Sequence, residues 1–224
     1  FARHELMQYK LPMTLTSNKT YTENRLTFGG RVSGTQSKYA KYDVVGSVSQ
    51  SGSDFGMFNV DAKTNFMLPL KKDTINLSFR AKVSNNRASF YYRHYHGKFA
   101  WWDNDDLNHE LRTRFEGVLS YNRTRTNLRV SFENVKNYTY FAVNQVKYTG
   151  GKDSTLYSNG VTVRQHTENI QVMEVALNQN FKFGVFNWEN ELVYSTSSNE
   201  DVIPVPAFSA YSNLYLLFRV AKVL

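Results

Sequence analysis

The chain has 224 residues, no cysteine, 15% aromatic residues and a formal charge of +8. The lack of cysteine excludes a disulfide framework and a thiolate metal site. No apolar run approaches the ~18 residues of a membrane helix. The mean hydropathy of −0.51 does not exclude a membrane-crossing β-strand, in which only alternate residues are apolar.

Tyr, Phe, Thr, Ser and Asn are abundant, which favours strands over helices. The opening "FARHELMQYK" lacks the apolar core of a signal peptide. A start without Met reads as a processed or truncated product. Residues 1–20 are expected to be a poorly defined edge segment, with 4–14 a poor or edge strand because of Pro12.

From residue 22 onward the pattern alternates every second residue. In 22–33, Leu26, Phe28 and Val32 stand against Glu23, Arg25 and Arg31. In 38–50, Ala40, Tyr42, Val44 and Val48 stand against Lys41, Asp43 and Ser47. The stretches 55–68, 73–84, 185–197 and 210–222 behave alike, and Val161 shares parity with Met173 and Phe181, making 160–182 one long strand. Such alternation predicts strands with one apolar and one polar face.

Turn residues punctuate the strands. Short turns are expected at "SGSD" (51–54), at a two-residue hairpin in "SNNR" (84–87), at Asn122-Arg123 and at Gly184-Val185. Longer connections are expected at 35–38, 69–73, 96–106, 136–159 and 198–209. Arg80, Lys82, Arg87 and Arg93 gather around the 84–87 turn with no acidic residue between them.

The stretch "LRTRFEGVLSYNRTRTNLRVSFENV" (111–135) carries the pattern in its clearest form. With the turn at Asn122-Arg123, Glu116 is predicted opposite Arg129 and Arg112 opposite Glu133, two favourable cross-strand charge pairs. Leu111, Phe115, Leu119, Leu128, Val130 and Phe132 fall on the other face and are predicted to meet lipid. About the 184–185 turn, Phe181 is predicted opposite Trp188 and Phe183 opposite Phe186.

A soluble sandwich also alternates. Strands of 12–20 residues exceed the usual ~5–6, and tight and long connections alternate along the chain without a Greek-key crossing. That asymmetry predicts an all-β, transmembrane up-and-down antiparallel β-barrel of about ten long strands. Residues 1–224 are one barrel domain or a portion of one.

The blocks "RFEGVLSYNRTRTNLRVSFENVKNYTYF" (114–141) and "FKFGVFNWENELVYSTSSNEDVIPVPAFSAYSNLYLLFRVAKVL" (181–224) resemble the Putative porin family of Bacteroidetes. The resemblance covers 107–224 best. It implies an outer-membrane barrel with a diffusion pore, further strands after Leu224 and therefore a piece of a larger barrel.

The expected function is passive diffusion of small hydrophilic solutes, with mild anion preference from the basic excess. Arg80, Lys82, Arg112, Arg114, Glu116, Arg125, Arg129, Glu133 and Arg219 are the expected lumen residues. Tyr121, Phe181, Phe183, Phe186 and Trp188 are the expected membrane-interface aromatics. The alternative is a non-channel outer-membrane barrel serving a secretion or uptake complex.

No enzyme, cofactor or metal is expected. His94 and His96 share a strand face in "RHYHG" but have no acidic residue at ligand spacing. His109, on the apolar parity, lacks a serine partner. The carboxylates of "WWDNDD" (101–106) suit calcium or sugar, with a rim Trp pair the simpler reading, and "DSTL" (153–156) resembles an O-glycan acceptor. Nucleic acid is not expected, because aromatic and basic residues segregate to opposite faces where stacking needs them interleaved.

Overall fold

The computed structural model describes residues 1–52, 54–71, 73–150 and 154–218, with backbone alone at 144–150 and 154–159. Its strands are β1 (Ala2–Pro12), β2 (Asn18–Gly34), β3 (Ala40–Gly52), β4 (Phe58–Leu70) and β5 (Asp73–Asn86). A short segment follows, with α1 (Phe90–Arg93), β6 (His94–His96) and β7 (Trp101–Asp103). The chain then returns to the sheet as β8 (Glu110–Tyr121), β9 (Thr126–Gly150), β10 (Ser154–Phe183), β11 (Phe186–Ser197) and β12 (Phe208–Leu216).

Ten strands make one antiparallel sheet in the order β1-β2-β3-β4-β5-β8-β9-β10-β11-β12. Sheet order equals chain order, so the fold is the up-and-down wall that the alternation predicts. β1 and β12 are its two edges.

Period-two segregation runs from β2 to β12, interrupted by register shifts at Leu26/Thr27 and His166/Asn169, while on β1 His4, Gln8 and Lys10 share the face of Leu6. Val48 pairs with Phe58, Ala62 with Ala81, Leu77 with Leu119, Phe115 with Phe132, Val130 with Val175 and Leu177 with Leu192. This face stays open: Val44, Phe79, Phe115, Val130, Tyr194 and Leu214 are all exposed. An apolar surface of this extent is what a membrane or partner covers, not water. The polar residues of the same strands lie on the opposite face.

Four sequence expectations are corrected. First, there is no hairpin at Ser84–Arg87. β5 pairs with β8 up to Asn86, and the chain leaves the sheet at Arg87. The competing interaction is burial of Phe90, which is 5% exposed and stacks on Tyr9 at 3.7 Å between ring centres. A tight return at 84–87 would forfeit that contact.

Second, the expected long connection at 69–73 is tight, since Leu70 pairs with Asp73. Tight and long ends therefore exchange in the N-terminal half. The connections after β2, β4, β8 and β10 share one end of the wall, and those after β1, β3, β5 and β11 share the other.

Third, much of the expected 136–159 connection is strand: Lys136 and Tyr138 to Gly150 pair with β10. The pairing slips between His166 and Asn169, and Asn137 adopts φ +59°. These opposed irregularities break the alternation that a strand reading depends on. β11 pairs only as far as Val172, and β8 only as far as Lys136. Beyond those points β9 and β10 continue as a two-stranded ribbon.

Fourth, the 111–135 hairpin has its loop at Asn122–Arg125, with Arg125 at φ +56°. Its register is displaced by two residues: Phe115 faces Phe132, Leu119 faces Leu128, and Arg114 faces Glu133. Glu116 meets Ser131 and Arg129 meets Val118. A displacement of two keeps every side chain on its face, and it joins like apolar partners that a tighter turn would separate.

Gly52 closes β3 at φ +83°, where an added Cβ would come within 1.7 Å of the Asn24 carbonyl oxygen. Gly184 has φ +63° but open space around it. Gly184→Ala is expected to cost only the left-handed penalty of ~1–2 kcal/mol. Gly52→Ala is expected to cost clearly more, as backbone must move. Urea midpoints of the folded, detergent-solubilised variants measure this, and equal losses would rule out the clash.

Candidate functional site: the polar face and its inserted segment

The polar face carries two transverse rows of charge. Asp43, Lys63, Arg80 and Glu116 stand opposite one another on β3, β4, β5 and β8. Asp61, Lys82, Arg114 and Glu133 form the next row on β4, β5, β8 and β9. In both rows two central cations are flanked by carboxylates.

Diagonal contacts stitch the rows together. Arg80 donates to Asp61 from Nε at 3.0 Å and Nη2 at 2.6 Å, a bidentate fork. Arg114 donates to Glu133 at 3.0 Å and to Glu116 at 2.9 Å. Arg112 reaches Glu133 at 2.6 Å and Glu110 at 2.8 Å. Arg129 lies 3.0 Å from Glu174 on β10, not beside Glu116. Lys82 forms no ion pair among the described residues, although Asp61 beside it serves Arg80 and Lys63.

Seven of the nine residues expected at this face thus share it: Arg80, Lys82, Arg112, Arg114, Glu116, Arg129 and Glu133. Arg125 sits in the 122–125 turn at the tight-turn end. Arg219 lies outside the described residues, as does Asp153 of the glycan motif. Tyr121 ends β8 at the tight-turn end, opposite Thr126. At the same end Phe181 faces Trp188, with ring centres 5.5 Å apart, and Phe183 faces Phe186.

The segment 87–109 was not legible as a unit. It leaves β5, packs over the polar side of β1 and β2, and returns to β8. Phe90 stacks on Tyr9 and meets the edge of Tyr21 at 5.4 Å. Arg93, 3% exposed, places Nη2 2.6 Å from Glu23 on β2. The acids that the sequence lacked around Arg80, Arg87 and Arg93 are therefore Asp61 and Glu23, from β4 and β2.

His94 and His96 do share one face of β6, and both are buried. Across the β6–β7 pair, Asp103 stands opposite His94. His94 Nδ1 lies 2.8 Å from Asp103 Oδ1 and His96 Nε2 3.1 Å from Oδ2. Tyr21 donates its hydroxyl to Asp103 at 2.7 Å, and Lys19 lies 3.6 Å away. His96 Nδ1 is 2.9 Å from the Pro12 carbonyl oxygen.

The acidic partner of the two histidines thus comes from "WWDNDD" through β pairing, which local spacing did not reveal. His94 also places Nε2 3.3 Å from Asp105, so the ring nitrogens of both histidines have partners, and among the described residues no cluster is arranged to hold a metal ion. Burial works to raise the Asp103 carboxyl, but hydrogen bonds from Tyr21, His94 and His96 prevail and hold it well below the usual carboxylate range.

The other face of the segment meets the ribbon. Tyr92 stacks on Phe141 of β9 at 4.6 Å, and Trp102 stacks on Tyr95 at 4.9 Å. His109 contacts Asn85 rather than any serine, and its carbonyl accepts a hydrogen bond from Asn137 at the bulge.

Compared with known proteins, residues 1–224 match a family model described as Putative porin. No curated protein and no solved structure matches the chain.

Because the Asp103 carboxyl is depressed, its charged form holds the segment above the ordinary carboxylate range. That hold is lost as pH falls through the depressed value. Asp103→Asn is expected to release it already at neutral pH, since losing a charged hydrogen-bond acceptor costs roughly 1–3 kcal/mol. Amides of 90–103 should then exchange about tenfold faster or more in lipid nanodiscs. Unchanged exchange would remove Asp103 as the anchor.

Proposed function

Because the chain belongs to the Putative porin family, we propose that it forms an outer-membrane channel for passive diffusion of small hydrophilic solutes. One observation carries the reading: apolar and polar residues segregate to opposite faces of the long strands β2–β5 and β8–β12. In this reading the apolar face meets lipid, the polar face lines an aqueous path, and no chemistry is performed on the solute.

Arg80, Lys82, Arg112, Arg114, Glu116, Arg129 and Glu133 line the path, with Arg125 at its tight-turn mouth. The ion-paired rows give it a polar wall without a large net field. Lys82 supports mild anion preference, because its charge is the one in the central rows not spent on a carboxylate. Tyr121, Phe181, Phe183, Phe186 and Trp188 stand at the bilayer interface of the tight-turn end, where aromatic girdles are favourable.

Single-channel recording of the full-length protein in planar bilayers tests this. The expected result is ohmic conductance with a reversal potential displaced toward the anion. Lys82→Glu is expected to lower the anion-to-cation permeability ratio by about twofold or more, the effect of ~0.5 kcal/mol per charge across several ångströms of water. Cation selectivity in the native protein would sink the anion preference. Absent conductance with stable co-purifying partners would favour an accessory barrel of a surface complex.

A further inference from the structure

At the root of the 87–109 segment, between the end of β5, the start of β8 and the middle of β9, is a half-open pocket of about 260 Å³. Arg87, Ser89, Tyr92, Glu110, Arg112 and Tyr138 are on its wall. Resting on the reading of the polar face as a solute path, we propose that this pocket binds a small hydroxylated monocarboxylate, a sugar acid of one-ring size.

Arg87 carries the argument. Its side chain is 18% exposed, yet its nearest carboxylate oxygen, on Glu23, is 3.5 Å away. That same oxygen is held at 2.6 Å by Arg93. Two guanidiniums thus share one carboxylate, and among the described residues Arg87 donates no hydrogen bond, so the pair carries one positive charge in excess beside the pocket that Arg87 lines. A carboxylate is the planar, bidentate group that matches a guanidinium.

The rest of the wall selects within that class. Arg112 is held by Glu110 and Glu133, so the surplus positive charge at the pocket is the one that Arg87 and Arg93 leave over on their shared Glu23. One negative charge is matched there, and a phosphate dianion would bring a second against Glu110. Glu110, fixed by Arg112, and Ser89 offer polar atoms to hydroxyl groups. Tyr92 and Tyr138 supply aromatic surface on the wall for the apolar side of a sugar ring.

The backbone is shaped for this. Asn137 at φ +59° donates to the His109 carbonyl at 2.9 Å, and its own carbonyl accepts from Gln165 at 3.1 Å. Both bonds pin the bulge that brings Tyr138 to the pocket wall, a re-aiming that bulges commonly perform at binding sites. The volume admits one ring and no more, well under the ~300–1,000 Å³ of pockets for larger ligands.

Equilibrium dialysis of full-length, detergent-solubilised protein against labelled glucuronate, glucose and glucose 6-phosphate tests the assignment. Glucuronate should bind saturably, and at least about tenfold more tightly than either competitor, as a charged hydrogen-bonded pair requires. Arg87→Gln should weaken glucuronate by about tenfold or more, with Arg87→Lys intermediate because it keeps charge but loses the fork. Equal binding of glucose, no saturable glucuronate binding, or a folded Arg87→Gln with native affinity would each overturn the proposal. The three-ligand comparison on native protein decides the matter even where a variant does not fold. Conductance without glucuronate binding overturns this site and leaves the channel standing. Binding without conductance overturns the channel alone.

Discussion

Everything in this wall depends on the period-two segregation of its strands being in register with the neighbours. Each strand places its charges on one face, and each transverse pairing must keep them there. A slip by one residue would carry Arg80, Arg114 and Glu133 to the open apolar face. In a bilayer a midplane arginine costs roughly 2–4 kcal/mol, and a slip moves several together. The transverse rows add a second constraint. Two adjacent cations in each row repel; Asp61 bridges Lys63 and Arg80, and Glu133 and Glu116 hold Arg114 beside Lys82. The rows therefore favour one register among those that share the same parity.

That distinction explains what the sequence made legible. Parity is local, so the strands, their faces and the up-and-down order follow from alternation alone. The two-residue displacement in the 111–135 hairpin does not, because both registers respect parity. Only turn geometry separates them: the loop accepts Arg125 at positive φ, a conformation that sequence rules assign to glycine or asparagine. Where the turn glycine is present, at Gly184, the pairing of Phe181 with Trp188 was readable residue by residue.

The remaining differences share one cause, long-range contact. The 136–150 strand hid behind a bulge whose bonds come from His109 and Gln165. The segment 87–109 hid because its partners, Tyr9, Tyr21 and Glu23, precede it by some seventy residues. Spacing within "RHYHG" placed two histidines on one face but was silent about Asp103, which arrives through β pairing. The count of about ten strands held although its membership changed: β1 joins the sheet, and the stretch after Arg87 leaves it.

The inserted segment adds buried charge to the polar face. A polar sheet face open to water needs no buried arginine. Arg93 is nevertheless buried against Glu23, and His96 is closed off by Pro12 and Trp101. Burying these groups is favourable only because each meets an opposite charge or an acceptor. The segment is thus docked by polar complementarity around a small aromatic core of Tyr9, Tyr21 and Phe90. The β9–β10 ribbon leans on the same body through Tyr92 and Phe141. A two-stranded ribbon is marginal alone, so its root is stable insofar as the segment stays docked. One buried cluster on the polar side thereby orders both the segment across that face and the hairpin that rises beyond the wall.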